Sequence, residues 1–342
     1  MKKNNLHIFA YLIFVILLLP SIYVNYLTHR SSIIQSIMTT DLNSNNRSTE
    51  VLNYLPNYNT DLPNLSFTAI PIKALVSRYF RFQQDFDTAL SLLDESKGLN
   101  PYIMFTESEK AEVYDQLQVK DSFTYYAKKA FYGLPKNQRH WIQFAKAMNI
   151  NKDTTLLDQA FFSKLSNSND PFFTEVYLST NFSLDRNSAI VSKVALDAKK
   201  KFYNDEEVRL LADYVLYTKK NVDSALNLAK EAKILFESGV YDSASNLYIS
   251  ASNLNPGDYT HFENAGLSLI RQSKYLEAIP YFNHVIDSLN PENGKAEYLL
   301  ASAYEYTGNI KKACELLEIS TSYNFKLAFD ARIKACLKLQ EN

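Results

Sequence analysis

Apolar residues recur at helical spacing through most of the chain after residue 70. Residues 71–83, PIKALVSRYFRFQ, and residues 86–96, FDTALSLLDES, both carry this spacing. The two segments are separated by a short polar break, and the second is followed by Pro101, which a helix does not readily continue into. The pattern therefore predicts an antiparallel pair of helices between residues 70 and 101.

The second helix of this pair has copies further along the chain. Residues 83–101, QQDFDTALSLLDESKGLNP, and residues 238–256, SGVYDSASNLYISASNLNP, have the same length and both end in Leu-Asn-Pro. In each, an aromatic residue is followed three positions later by alanine and four positions after that by a large apolar residue. The pattern returns about 34 residues later at Tyr275, Ala278 and Phe282, and again at Ile310, Ala313 and Leu317.

This pattern resembles the tetratricopeptide repeat, which has a period of 34 residues and two helices per repeat. In residues 225–258 the characteristic positions of that family are occupied by Leu228, Ala232, Leu235, Gly239, Tyr241, Ala244, Tyr248, Ala251 and Pro256. The resemblance implies an all-α, right-handed α-solenoid, with small residues where the two helices of a repeat approach closely. An ordinary helical bundle would not be expected to keep six positions in register across two separated blocks.

The resemblance divides the chain into segments. It is good in residues 70–137, weaker to residue 171, and most specific in residues 225–327. Residues 172–224 depart from the repeat, and we expect a connector followed by divergent helices near residues 187–203 and 206–218. Residues 328–342 are expected to form a capping helix, because a terminal repeat needs a polar outer face.

The amino terminus carries a membrane signal. Residues 6–27 contain no formal charge and reach the roughly 20 residues that a helix needs to cross a bilayer. Lys2 and Lys3 lie in the short flank of residues 1–5, which predicts a cytoplasmic amino terminus and an array on the extracytoplasmic, periplasmic side. A cleaved signal peptide is the alternative, but the residues after Leu19 are not the small ones that cleavage requires. Residues 31–69, rich in Ser, Asn, Thr and Pro, are interpreted as a linker with one short helix near residues 48–54.

Charge and motif content exclude several functions. The 36 basic and 37 acidic residues are mixed along the chain, which does not suit a nucleic-acid partner. No histidine has a second ligand at metal spacing and no catalytic motif occurs, so we expect no enzyme, metal or cofactor. The acidic groups Glu107, Glu109 and Glu112, and Asp205, Glu206 and Glu207, are interpreted as solvated helix starts.

Two cysteines are present, Cys314 in the last repeat and Cys336 in the expected capping helix. In an oxidising compartment the two thiols could form a disulfide if they lie close together. Two buried free thiols are the alternative, and it is the one we prefer from the sequence.

The resemblance also implies which residues face a partner. In tetratricopeptide arrays the first helix of each repeat, helix A, lines the concave face that binds another protein or an extended peptide. Carried over by position, the inward residues here are Arg78, Arg81, Glu112, Asp115, Arg139, Lys146, Lys233, Glu237, Glu263, Arg271, Tyr298 and Glu305. This set mixes both signs of charge, so it predicts no charge-selective groove, and it leaves the oligomeric state open.

The leading hypothesis for function is a membrane-tethered scaffold that recruits a protein partner, in a bacterial envelope assembly or secretion process. A second hypothesis keeps the fold but places the array in the cytosol, as a signal-anchored receptor on an organelle. A third is a glycan-binding or envelope-polymer enzyme accessory subunit that uses aromatic residues in the groove.

Overall fold

The computed structural model describes residues 2–44, 50–54, 60–61, 64–186 and 188–340. These residues form 18 α-helices and two short helical turns. Over the same residues no β-strand is formed, and Leu65 and Pro71 make an isolated bridge. The predicted all-α fold is therefore confirmed. The chain divides into two compact units, Met1–Asn167 and Ser168–Asn342.

The described residues of the first unit form eight α-helices. They are α1 Lys2–Asn43, α2 Glu50–Tyr54, α3 Ile72–Phe82, α4 Phe86–Glu95, α5 Phe105–Gln116, α6 Lys120–Gly133, α7 Gln138–Asn151 and α8 Thr154–Lys164. The last six form three consecutive pairs whose first helices begin at residues 72, 105 and 138, a spacing of 33 residues. The predicted helix pair that begins this series is confirmed, and the weaker repeat after residue 138 also forms a pair.

Local sequence explains where these helices start and turn. Asp85, Asn137 and Asp153 are N-caps, and the side chain of each accepts a hydrogen bond from a backbone N–H three residues on. Capping of this kind satisfies one of the N–H groups that a helix start leaves without a partner. The turns inside the first two pairs contain Gln84 and Gln118 in left-handed conformation, with φ of 64° and 59°. The corresponding turn in the second unit contains Gly239, which adopts this conformation without strain.

The linker predicted from residue 31 is wrong at its start, because helix α1 continues to Asn43. The apolar side chains from Tyr11 to Tyr26 are exposed, but the helix continues past residue 30, where Ser31, Gln35 and Met38 are buried. Met38 packs in one cluster with Val51, Ile72, Val76 and Tyr79. The serines and threonines of residues 31–44 suggested a flexible segment, whereas Ile34, Met38 and Leu42 are spaced to form one stripe of a helix. The short helix expected near residues 48–54 is present as α2.

In the second unit, residues 168–186 and 188–340 form ten α-helices. They are α9 Pro171–Ser183, α10 Ala189–Lys201, α11 Glu206–Tyr217, α12 Lys219–Glu237, α13 Tyr241–Leu254, α14 Tyr259–Arg271, α15 Tyr275–His284, α16 Lys295–Tyr306, α17 Ile310–Ser322 and α18 Lys326–Gln340. The connector expected after residue 171 is instead the helix α9. Pro171 occupies the first helical position, where its missing N–H is not needed, and Asp170 caps the helix.

The repeat positions identified in the sequence lie at the close helix contacts of this unit. Ala244, Ala278 and Ala313 are fully buried. A Cβ on Gly266 would lie 2.6 Å from the ring of Phe282, which explains the absence of a side chain there. The repeat gains one residue before Pro291, and the chain accommodates it in a π-helical turn, Val285–Leu289, a form associated with single-residue insertions into helices.

A disulfide between Cys314 and Cys336 connects α17 to α18. The preference for two free thiols was therefore wrong. The two helices pack against each other and bring the Cα atoms to 5.3 Å, which is inside the range that a disulfide spans. The sequence could not decide between the two states because it does not fix how the last helix docks.

Candidate functional site

Six of the predicted site residues meet on three neighbouring helices of the first unit. Helices α3, α5 and α7 are the first helices of consecutive pairs, and α5 packs against both of the others. The six residues are Arg78 and Arg81 on α3, Glu112 and Asp115 on α5, and Arg139 and Lys146 on α7. All six take part in ion pairs that run across the three helices. We call this surface the A-helix face.

Glu109 on α5 lies at the centre of this network, and its side chain is only 1% exposed. Its Oε1 accepts hydrogen bonds from Arg78 Nε at 2.5 Å and from Arg139 at 2.5 Å, and its Oε2 lies 3.6 Å from Arg81 Nε. Burial alone would raise the pKa of Glu109. The positive charges of Arg139, Arg78 and Arg81 outweigh that effect and lower its pKa to about 2. Glu109 is therefore ionised and joins three helices through one carboxylate.

The role of Glu109 corrects the sequence interpretation, which placed it among solvated acidic residues. The spacing between Glu109 and the arginines along the sequence could have indicated this ion-pair network. Glu109 is 31 residues from Arg78 and 30 residues from Arg139, close to one repeat on each side. In a stack of repeats these positions come to lie next to one another on adjacent first helices, so an acidic residue between two basic ones indicates a shared ion pair.

The network becomes more exposed away from Glu109. Glu112 Oε1 accepts a hydrogen bond from Gln143 Nε2 at 2.6 Å and lies 3.7 Å from Arg139. Asp115 pairs with Lys146 at 2.6 Å, and the side chain of Lys146 is half exposed. Gln143 also bonds Ser108, which connects the backbone of α5 to α7. The buried part thus fixes the helices, while the outer part presents both signs of charge to solvent.

The six predicted site residues of the second unit do not form one cluster. Lys233 and Glu237 are exposed and lie 3.9 Å apart, and Arg271 is exposed at the end of α14. Tyr298 packs against Phe325, with ring centroids 5.3 Å apart, and shares a shallow depression beside α18 with Glu305. Glu263 is buried and pairs with Lys295 at 2.7 Å, so it is not available to a partner.

One group of metal-ligand type occurs among the described residues. Ligand atoms of Cys314, Glu318 and Cys336 lie within 4.8 Å of one another. Both cysteine sulfurs are already joined in the disulfide, and a metal ligand must be a free thiolate, so this group does not hold a metal in the bridged state.

Comparison with known proteins concerns the fold. No family model and no curated protein matches the chain. Among solved structures, the chain is similar to the TPR domain of P58(IPK), with 15% identity, 91% of this chain and 99% of that chain covered, and a TM-score of 0.42. A tetratricopeptide repeat protein from Parabacteroides merdae shares 13% identity over 79% and 98% of the two chains, with a TM-score of 0.35. The TPR2AB domain of yeast Sti1, solved in complex with pHSP90, shares 15% identity over 67% and 94%, with a TM-score of 0.30.

The repeat architecture is visible in the chain's own helices. Consecutive helix pairs recur about every 34 residues, with buried alanines at the positions where the paired helices meet. Each of these pairs is joined by a tight turn. First helices of neighbouring pairs contact each other between α3 and α5, α5 and α7, and α14 and α16, as in stacked repeats. These features give the chain an α-solenoid fold of stacked helix pairs like that of tetratricopeptide repeats.

Proposed function

We propose that this protein is a membrane-tethered scaffold that binds an extended segment of a partner protein along the A-helix face. The observation that supports this most is that six predicted inward residues from α3, α5 and α7 form ion pairs between neighbouring first helices. The three arginines and Glu109 form one buried network that extends to the partly exposed Glu112. Further along the same helices, Asp115 and Lys146 form a separate and more exposed pair, which the structural role of Glu109 does not require.

The charge of this face indicates the chemistry of the segment. Arg78, Arg81, Arg139 and Lys146 supply four positive charges, and Glu109, Glu112 and Asp115 supply three negative ones. An almost balanced face favours a polar segment of mixed charge over a strongly acidic or basic one. The ion pairs already hold these side chains in place. The surface therefore loses little conformational entropy when a partner binds.

Photo-crosslinking in intact cells tests this assignment. In the test variant, a photoreactive phenylalanine analogue replaces Lys146 on the A-helix face. In the control variant, it replaces Tyr125 on α6, an aromatic side chain that is 60% exposed. We expect a discrete adduct from position 146 and none of the same mass from position 125. The adduct should be lost when Asp115→Lys and Glu112→Lys reverse the acidic part of the face. Adducts of the same mass from both positions would contradict a specific partner site.

The proposed tether is α1. Within the described part of the chain it is the one helix long and apolar enough to cross a membrane, with a mean hydropathy of 1.8 in its most apolar 18-residue window. Its side chains from Tyr11 to Tyr26 are exposed, as those of a lipid-facing helix would be. Burial begins only at Ser31, where the helix docks on the first repeat.

Two truncations separate the tether from the docked part of α1. Deleting residues 1–27 should release a soluble protein that melts like the full chain, because no removed side chain from residue 11 onward is buried. Deleting residues 1–43 should lower the melting temperature, because it removes Met38 from the cluster that covers Tyr79. Burial of one large apolar side chain contributes about 1.5–3 kcal/mol. Equal melting of both truncations would contradict the docking of residues 31–43.

We further propose that the array lies on the extracytoplasmic side, in a bacterial envelope. The basic flank Lys2 and Lys3 supports this orientation, and so does a disulfide, which persists in oxidising compartments. Protease added to intact cells should digest an extracytoplasmic array and spare a cytosolic one. Amino-terminal sequencing of the membrane-extracted chain distinguishes an anchor from a cleaved signal peptide, which would give a start near residues 22–28.

A further inference from the structure

The second unit contains a polar pocket of about 260 Å³ that the scaffold function does not use. It is formed by the end of α10, the first two turns of α11 and the turn between α13 and α14. The side chains that define its chemistry are Lys199, Glu206, Arg209, Asp213, Asn255 and Asp258.

One wall of the pocket is fixed by hydrogen bonds between its own residues. Lys199 pairs with Asp213 and donates to the carbonyl oxygen of Gly257 at 2.7 Å. Asn255 donates from Nδ2 to the second oxygen of Asp213 at 2.9 Å. A Cβ on Gly257 would lie 2.6 Å from Lys199 Nζ and 2.8 Å from Asp213 Oδ1, so only glycine allows this approach. The wall is therefore built from residues of three separate elements.

Two polar groups of this pocket have no hydrogen-bond partner in the described structure. Asn255 is 1% exposed, and because its Nδ2 is bound to Asp213, its Oδ1 is left as a free acceptor. Arg209 Nε is a buried, charged donor without a partner, and the guanidinium lies 4.9 Å from the ring centroid of Tyr259. Buried polar groups are nearly always hydrogen-bonded, so an unpaired donor and acceptor in one pocket indicate a bound molecule.

The charges around the pocket narrow the class of that molecule. Lys199 and Asp213 neutralise each other, which leaves the positive Arg209 facing the negative Asp258 and the exposed Glu206 at the rim. A simple anion would be repelled by the two carboxylates, and a simple cation by the guanidinium. A molecule that carries both charges matches both sides of the pocket.

We propose that this pocket binds a small zwitterion of the α-amino-acid class. Its carboxylate accepts a hydrogen bond from Arg209 Nε, and its ammonium group donates to Asn255 Oδ1. The pocket volume of about 260 Å³ lies just below the roughly 300–1,000 Å³ of pockets for drug-sized molecules, as suits a smaller ligand such as an amino acid. The site belongs to the second unit and does not depend on the A-helix face.

Isothermal titration calorimetry on the full chain in detergent tests the proposal, with thermal melting as a second readout. The probes are glycine, L-alanine and L-leucine. L-Alaninamide lacks the carboxylate, and N-acetyl-L-alanine lacks the ammonium group. We expect at least one amino acid to bind and to raise the melting temperature, and both L-alanine analogues to bind less well than L-alanine.

Three variants connect binding to the named groups. Arg209→Gln should weaken binding by about tenfold or more, as loss of a hydrogen bond to a charged group does. Gly257→Ala keeps both ligand-binding groups but displaces Lys199, and it should also weaken binding. Lys311→Gln is the matched control on the exposed surface of α17 and should bind like the wild type. All three are first shown to be folded by circular dichroism.

Two results would overturn the proposal. One is the absence of heat and of a melting shift with all three amino acids, which would identify a cavity filled by water alone. The other is binding that is equal in Arg209→Gln and in wild type, which would place the ligand elsewhere.

Discussion

Replacement of Glu109 by glutamine is the sharpest test of how the first unit is held together. The substitution keeps the size of the side chain and removes its charge, so Arg78, Arg81 and Arg139 lose their shared carboxylate. Glu109 is fully buried, and these three side chains are largely buried as well. Removing one partner from a buried ion pair leaves the other charges uncompensated, which is costly.

The size of the effect follows from the pKa of Glu109. Its fall from the ordinary value of 4.5 to about 2 corresponds to a stabilisation of the ionised form by about 3 kcal/mol. Because the pKa is lowered in the folded state, this contribution is complete above pH 4.5 and is lost as the pH falls towards 2. Glu109→Gln should therefore destabilise the first unit by about 3 kcal/mol at neutral pH and by progressively less in acid.

Thermal melting measured by circular dichroism between pH 2 and pH 7 is the assay. For a unit of this size, a loss of about 3 kcal/mol lowers the melting temperature by about 6–12 °C. Glu112→Gln is the control on the same helix; its side chain is 29% exposed and it should cost less than about 1 kcal/mol. Equal melting of Glu109→Gln and wild type at pH 7, with the same acid dependence, would refute the central role of Glu109.

Three further predictions concern the second unit, and thermal melting checks each of them. Ala244→Leu and Ala278→Leu should each cost about 1–3 kcal/mol, because both alanines are fully buried at helix contacts; unchanged melting would show that the helix register is wrong. Gly266→Ala should be destabilising because its Cβ meets Phe282, and Phe282→Leu in the same chain should recover part of the loss. Cys336→Ser should cost about 3 kcal/mol, since the disulfide closes a loop of 22 residues, and it should make α18 the first site of limited proteolysis.

The repeat frame was readable from the sequence because its determinants are local. Aromatic residues and alanines at fixed spacing specify which side of each helix is buried, and Ala244 and Ala278 lie where that spacing places them. The same frame put Arg78, Arg139 and Lys146 on one face, since it assigns each residue a position within its own repeat. It did not show which of these charges are buried.

The features that sequence reasoning missed depend on contacts between distant segments. Glu109 is buried only because arginines from the preceding and following repeats reach it. Residues 31–43 are held in the fold because Met38 contacts Tyr79, which is 41 residues further along the chain. The Tyr79 hydroxyl donates a hydrogen bond to the carbonyl oxygen of Met38. The pocket at Asn255 brings together α10, α11 and a turn more than 40 residues further along the chain. The composition of each segment does not indicate these contacts, because none of the segments has a distinctive pattern by itself.

The continuity of α1 has a consequence for how the proposed scaffold would work. Its 42 residues extend for about 63 Å as a helix, and a bilayer core of about 30 Å takes up some 20 of them. If residues 11–30 span the membrane, the helix emerges directly into the stretch where Ser31 and Gln35 are buried and Met38 packs on the first repeat. The membrane-spanning part and the docked part then belong to one continuous helix. The A-helix face would be held at a defined height and angle above the membrane, so a partner segment would be bound close to the surface and in one orientation.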